Sequence, residues 1–230
     1  AAEMALGGVS GPRGVLDGRW GIFRVMSGGD VAALTAGLGQ RWEFAGATLK
    51  PYASCRFTHG PVEALRAVKL DTSEIEAVEI ATCRASVDVS DRPNPKDRLD
   101  AILSHQLAAA LALLGKPILP RDLDVIDAPA RALAARVRVR HDPELDALYP
   151  KRWPHRITIS MRGGRQVKVE SDNPPVASFT QAREKFLALA GPVLGPSRAA
   201  NLAEVVDRLE TLPDLGPLLQ LLPPRRAQAA

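Results

Sequence analysis

The sequence predicts an α+β fold in which an antiparallel sheet packs against helices and a helical tail follows. Three observations predict it. Short runs with strand-like alternation cluster between residues 135 and 170, and Gly163-Gly164 separates the last two as a tight hairpin would. Apolar residues at helical spacing dominate the segments before this cluster and return from residue 180 onward. Aromatic residues make up only 4% of the chain while Ala, Leu and Val are plentiful, which suits closely packed helices and small β-branched strands better than an aromatic-rich sandwich. With 230 residues and 46% hydrophobic content, the chain is long and apolar enough for a packed core.

The elements follow in order. Residues 1–6 read as the last turns of a helix whose beginning lies upstream, so truncation is expected. The stretch VSGPRGVLDGRWG, residues 9–21, is dense in Gly and Pro and reads as a connecting loop. Its glycines lack the spacing of a nucleotide loop and are expected only to shape the turn. A boundary is placed here, dividing the chain into 1–15, 16–175 and 176–230. Residues 30–38 read as a short helix, and residues 41–49, with Trp42 and Phe44 in alternation, as a strand. Residues 61–70 follow as a helix with Pro61 at its first position, where the missing N–H costs nothing. Residues 74–82 alternate as a strand. The SDRPNPKD segment then breaks regular structure before the longest helical stretch, 98–114, closed by Gly115 and Pro117. A short helix over 128–134 precedes strands over 135–141, 156–161 and 165–170. After the DNPP turn, helices are expected over 180–190, 197–209 and 215–222, ahead of the Pro-Pro-Arg-Arg end. This tail is apolar enough to require a partner surface.

Charge and cysteine content narrow the function classes. The net charge of +4 comes from 30 basic and 26 acidic residues spread along the whole chain. A basic pocket for a polycarboxylate and an ordinary solvated surface would both give that excess, and no aromatic-and-basic face points to nucleic acid as a partner. Cys55 and Cys83 have no paired spacing, which argues against a disulfide framework or a zinc site and for a reducing compartment. No apolar run reaches the roughly 18 to 20 residues that span a bilayer, and no signal segment opens the chain, so no membrane partner is expected and a cytoplasmic location is.

The stretch 50–59 is the most informative, because it gathers Lys50, Cys55, Arg56 and His59 between a strand and a helix. An ammonium and an imidazole held together can bind carboxylates and move protons. The same residues also fit a plain reading in which Lys50 and Arg56 are solvated charges, Cys55 a small buried hydrophobe and His59 a cap of the next helix. A Cys55 nucleophile served by His59 has no orienting acid in view. His141, Asp142 and His155 lack metal-ligand spacing, so no metal site is expected.

The stretches SGPRGVLDGRWGIFR, LKPYASCRFTH, DPELDALYPKRWPHRITI and the GGR hairpin together resemble the MmgE/PrpD family over nearly the whole chain. Members of that family include 2-methylcitrate dehydratase, cis-aconitate decarboxylase and an iminodisuccinate epimerase, all acting on small acids with two or three carboxylates and needing no redox cofactor. The resemblance implies a large helical domain, built from an N-terminal half plus the C-terminal tail, and a smaller α+β lid. On that reading 1–15 is the end of the helical domain and a linker, 16–175 the lid, and 176–230 the tail of a helical domain otherwise missing. It further implies a homodimer, no cofactor, a small polycarboxylate as ligand, Lys50 as the catalytic residue lining the cleft, and Cys55, Arg56 and His59 as substrate-binding or segment-orienting residues. The expected activity is that of a lyase, a dehydratase first, that removes a proton next to a carboxylate. The rivals are an epimerase or decarboxylase of the same family, or a truncated, non-catalytic assembly subunit. Two departures bear on this: Leu107 stands in Ser104-His105-Gln106-Leu107 where members often carry a tyrosine, and the loop after Glu170 is short and lacks a basic residue.

Overall fold

Residues 2–26, 32 and 35–222 are described by a computed structural model, and they form the expected α+β architecture. The chain divides into two units, Ala1–Ala47 and Thr48–Ala230.

In the first unit the helices are short: α1 (Ala2–Leu6) and α2 (Ile22–Met26). The glycine-rich loop between them closes on itself, with Gly18 N–H donating to Gly14 O at 3.0 Å and Ile22 N–H to Val15 O at 2.9 Å. A Cβ on Gly18 would lie 2.5 Å from Gly14 O, and one on Gly21 equally close to Leu16 O. These glycines therefore permit a close backbone approach. The helix expected over 30–38 falls in part on residues outside those described, and 35–40 are turns. The strand expected over 41–49 is absent. A single 3-10 turn, Glu43–Gly46, stands there, held by Ala45 N–H to Trp42 O and Ala47 N–H to Phe44 O. Alternation is only half of a strand; without a neighbour to pair its backbone the segment coils on local bonds, leaving Trp42 70% and Phe44 86% exposed.

The second unit is a two-layer structure of helices on a sheet, followed by a helical tail. Helix α3 (Arg56–Ala67) leads to β1 (Ile75–Thr82), and α4 (Arg84–Ser90), α5 (Arg98–Ile102), α6 (His105–Leu113), α7 (Pro120–Asp124) and α8 (Ala128–Ala134) separate β1 from β2 (Val137–His141). After α9 (Pro143–Asp146) come β3 (His155–Met161) and β4 (Gln166–Ser171), then α10 (Phe179–Leu194), α11 (Pro196–Asp207) and α12 (Gly216–Leu221). The sheet runs β2-β1-β3-β4. It is mixed rather than antiparallel: β3 pairs antiparallel with β1 and β4, but β2 runs parallel to β1. The long helical crossover between β1 and β2 returns the chain to the same end of the sheet, which a parallel pair requires.

One sheet face is buried and the other wet, as the alternation of β3 shows: His155, Ile157, Ile159 and Met161 point inward and Arg156 outward. In β1 the inward residues Ile75 and Val78 are three apart, an odd spacing that a bulge between Ile75 and Ala77 accommodates by adding one residue against β3. Helix α6 supplies the opposite layer and is buried almost all round, packing against α3, α8 and β2.

Two expected helices are corrected. The stretch 98–114 is two helices, because Ser104 caps a new one by accepting from Leu107 N–H at 3.0 Å, just as Asp97 caps α5 through Asp100 N–H at 2.9 Å. Gly115, at φ +65°, does close α6, with Lys116 N–H reaching back to Leu111 O at 2.9 Å. Helix α3 begins at Arg56, five residues before Pro61, which lies inside it and leaves Phe57 O without its usual helical donor. The hairpin at Gly163-Gly164 is as expected, with both glycines at positive φ.

Candidate active site

The segment 48–59 runs along the edge of the packed layer and is fixed to it at regular intervals. Ala53 N–H donates to Ile118 O at 2.9 Å and Cys55 N–H to Ile102 O at 2.8 Å. Tyr52 is buried between the Arg66 guanidinium, 4.8 Å above its ring, and the edge of His59, 5.3 Å away. Its hydroxyl donates to the Glu63 carboxylate. Burial, and then that bond, push the Tyr52 phenol up to about 12, so it stays protonated as a structural donor.

His59 is fully buried on the first turns of α3. Its Nε2–H donates to the Ser54 carbonyl at 3.0 Å, which fixes the tautomer and leaves Nδ1 a bare lone pair with no partner. Burial first, and then the positive charges of Lys50, Arg56 and Lys185, lower its pKa to about 4 against the opposing Ser54 bond. His59 is therefore neutral near pH 7 and holds the turn of 54–59 rather than carrying charge. Thr58 Oγ1 lies 2.7 Å from Ser54 Oγ and 2.8 Å from Cys55 O, stitching the same turn.

The four expected site residues are thus brought together, with different surroundings. Lys50 is exposed at the head of the segment, and its backbone carbonyl accepts from Lys185 Nζ at 2.7 Å. Arg56, on the first turn of α3, donates from Nη1 to Thr48 Oγ1 at 2.8 Å. Cys55 is half-buried as the N-cap residue of α3. No ion pair among the described residues involves Lys50, Arg56 or Lys185. The result is a patch of cations with no carboxylate partner among the described residues, set around a hydrogen-bonded turn and able to hold an anion.

Lys185 is the residue that sequence reasoning missed. It lies on α10, 135 residues from Lys50, and no local pattern links the two. Ala177 N–H to Leu49 O, at 3.0 Å, lays the start of the tail along the segment and so delivers Lys185 to it. Burial, then the charge of Lys50, lower the Lys185 pKa.

The two motif stretches also meet. Phe57, next to Arg56, packs in tilted contact with Trp153, ring centres 4.6 Å apart, and with Tyr149 at 5.8 Å. The aromatics of LYPKRWP therefore brace the start of α3 from the side. A second polar cluster lies deeper. His105 Nε2 shares a hydrogen bond with Ser86 Oγ at 2.9 Å, its ring meets that of His155 at 5.6 Å, and His155 Nδ1 lies 3.3 Å from Ser171 Oγ. Burial lowers both histidine pKa values, that of His155 to about 4, and leaves one nitrogen of each without a partner. His141 is tied to Asp146 and Arg84 at 2.8 Å each. Leu107 is buried in the main core.

Residues 52–211 match the MmgE/PrpD C-terminal domain. The chain is 26% identical over 248 residues to a cis-aconitate decarboxylase of Aspergillus terreus strain NIH 2624 / FGSC A1156. It is 25% identical over the same length to a second cis-aconitate decarboxylase of Aspergillus terreus. Each comparison covers 95% of this chain and 51% of the relative, so the chain spans about half the length of the curated relatives it matches.

Proposed function

This chain belongs to the MmgE/PrpD family, and from that premise we propose that it forms the lid part of a lyase acting on small polycarboxylic acids, with Lys50 as the catalytic residue. The observation that carries the reading is the exposed Lys50 ammonium at the head of a segment whose backbone is tied to the core, with no carboxylate among the described residues neutralising it. Removing a proton next to a carboxylate, or losing CO2 from one, leaves an electron pair on carbon that delocalises onto carboxylate oxygens. A fixed ammonium stabilises that charge more in the transition state than in the ground state, which is what accelerates the step. Arg56 and Cys55 flank the same space, while His59 acts as a positioning residue through Ser54 O. The acid and base partners come from residues beyond this chain, in a helical domain that the tail helices α10 to α12 complete.

Dehydration of a 2-methylcitrate-type substrate is the first reading. Decarboxylation of cis-aconitate is the second, and the names of the two Aspergillus relatives favour it. Both build negative charge at the same kind of carbon and place the same demand on Lys50. The test is turnover of the intact protein with 2-methylcitrate, read as loss of water, and with cis-aconitate, read as release of CO2. Lys50→Ala is expected to lower kcat by about a hundredfold or more with an unchanged unfolding midpoint. Unchanged turnover would remove Lys50 from the mechanism, and activity toward neither acid would favour a non-catalytic assembly role.

A further inference from the structure

Lys185 has no counterpart in the reading above, and its surroundings ask for one. Its ammonium is half-buried beside Lys50, and the repulsion between them is part of what lowers its pKa. Holding two like charges together costs free energy that an acidic neighbour would normally offset. Neither lysine has such a neighbour among the described residues, and His59 behind them is neutral with its one N–H already spent on Ser54 O. One of the three Lys185 donors goes to Lys50 O, and two remain. The contact is tertiary: it exists because the tail backbone at Ala177 bonds to Leu49 O and sets α10 alongside the segment.

We propose that Lys185 is a second carboxylate-binding residue of this site, so that Lys50 and Lys185 together select acids carrying more than one carboxylate. This rests on the reading of the Lys50 segment as the substrate site. An anion bridging the two ammoniums relieves their repulsion, and a ligand with two or three carboxylates does so at two points, whereas a monocarboxylate needs only Lys50. Lys185 is thus a specificity-determining residue supplied by the tail, which makes the tail part of the site and not merely a support for it.

The experiment is calorimetric binding of tricarballylate, an unreactive tricarboxylate, and of butyrate to the intact protein. Lys185→Gln keeps a donor for Lys50 O and removes the charge; Lys185→Met, carried in parallel, removes both, so that a folded form of either variant gives the answer. Expected are an affinity for tricarballylate weakened about tenfold, equivalent to about 1.4 kcal/mol, a butyrate affinity changed less than about twofold, and near-wild-type binding in Lys185→Arg. An unchanged tricarballylate affinity in Lys185→Gln, while Lys50→Gln weakens it, overturns the inference and leaves the site reading intact. An equal loss for both ligands shows a structural role only and also overturns it. Failure of the wild-type protein to bind tricarballylate at all removes the site reading, and the inference with it.

Discussion

Lys50 and His59 lie in the same turn yet do opposite things, because burial separates them. The ammonium of Lys50 keeps its water, whereas His59 loses it and is held neutral, its pKa lowered to about 4 by that burial and by the cations around it. His155 is lowered to about 4 by burial alone, against the pull of Asp172 and a backbone bond. Both are therefore expected to titrate near 4 rather than at the ordinary 6.5 when followed by nitrogen-15 NMR of the imidazole. A midpoint above about 6 for either would show that its ring is hydrated. The candidate site is legible in sequence at this scale only where its residues are neighbours. Lys50, Cys55, Arg56 and His59 sit within ten positions, but their roles diverge through Ser54 O, Tyr52 and Thr48, contacts that depend on the turn being folded.

At the scale of elements, local signals work where the backbone makes its own case. Gly163 and Gly164 both adopt positive φ, and a Cβ added to either would meet no atom within 4 Å, so only conformation opposes a side chain there. Gly164→Ala is expected to cost about 1 kcal/mol, measured by urea unfolding; a neutral result would mean that the turn relaxes to another type. The caps at Asp97, Ser104 and Ser178 are equally local, yet Ser104 is hard to read as one because the apolar spacing on either side of it is continuous. Strand pairing is different in kind. Residues 41–49 and 135–141 both alternate, but only the second finds a ladder, beside β1. Its parallel direction follows from the crossover and not from its own residues.

For the whole molecule, the three buried histidines set an acid limit. Unfolded, His59, His105 and His155 take up protons near the ordinary 6.5; folded, they stay neutral down to about 4 for His59 and His155, and His105 lies well below its ordinary value too. The unfolded state thus binds more protons through this window, and stability, full above pH 7, falls as pH drops. Each histidine adds a slope of about 1.4 kcal/mol per pH unit at most, and the loss levels off once pH passes the folded pKa values. The carboxylates with lowered pKa, Asp71, Asp127 and Asp146, act only below the ordinary carboxylate range, so the interval from about pH 6.5 to about 4.5 reports the histidines. Urea midpoints flat across that interval would show that the cluster opens to solvent in the folded state.

The α+β class, the hairpin, most helices, the family and the motif that carries Lys50 can all be read along the chain, because each rests on residues close in sequence or on a local backbone preference. Folding in three dimensions settled the rest: the parallel β2, the bulge that keeps Ile75 and Val78 on one face, the packing of Phe57 against Trp153, and the arrival of Lys185 beside Lys50. These are contacts between distant segments. Their energy comes from burying shared surface and pairing backbone groups across the fold, and that energy has no value until the partner segment is in place.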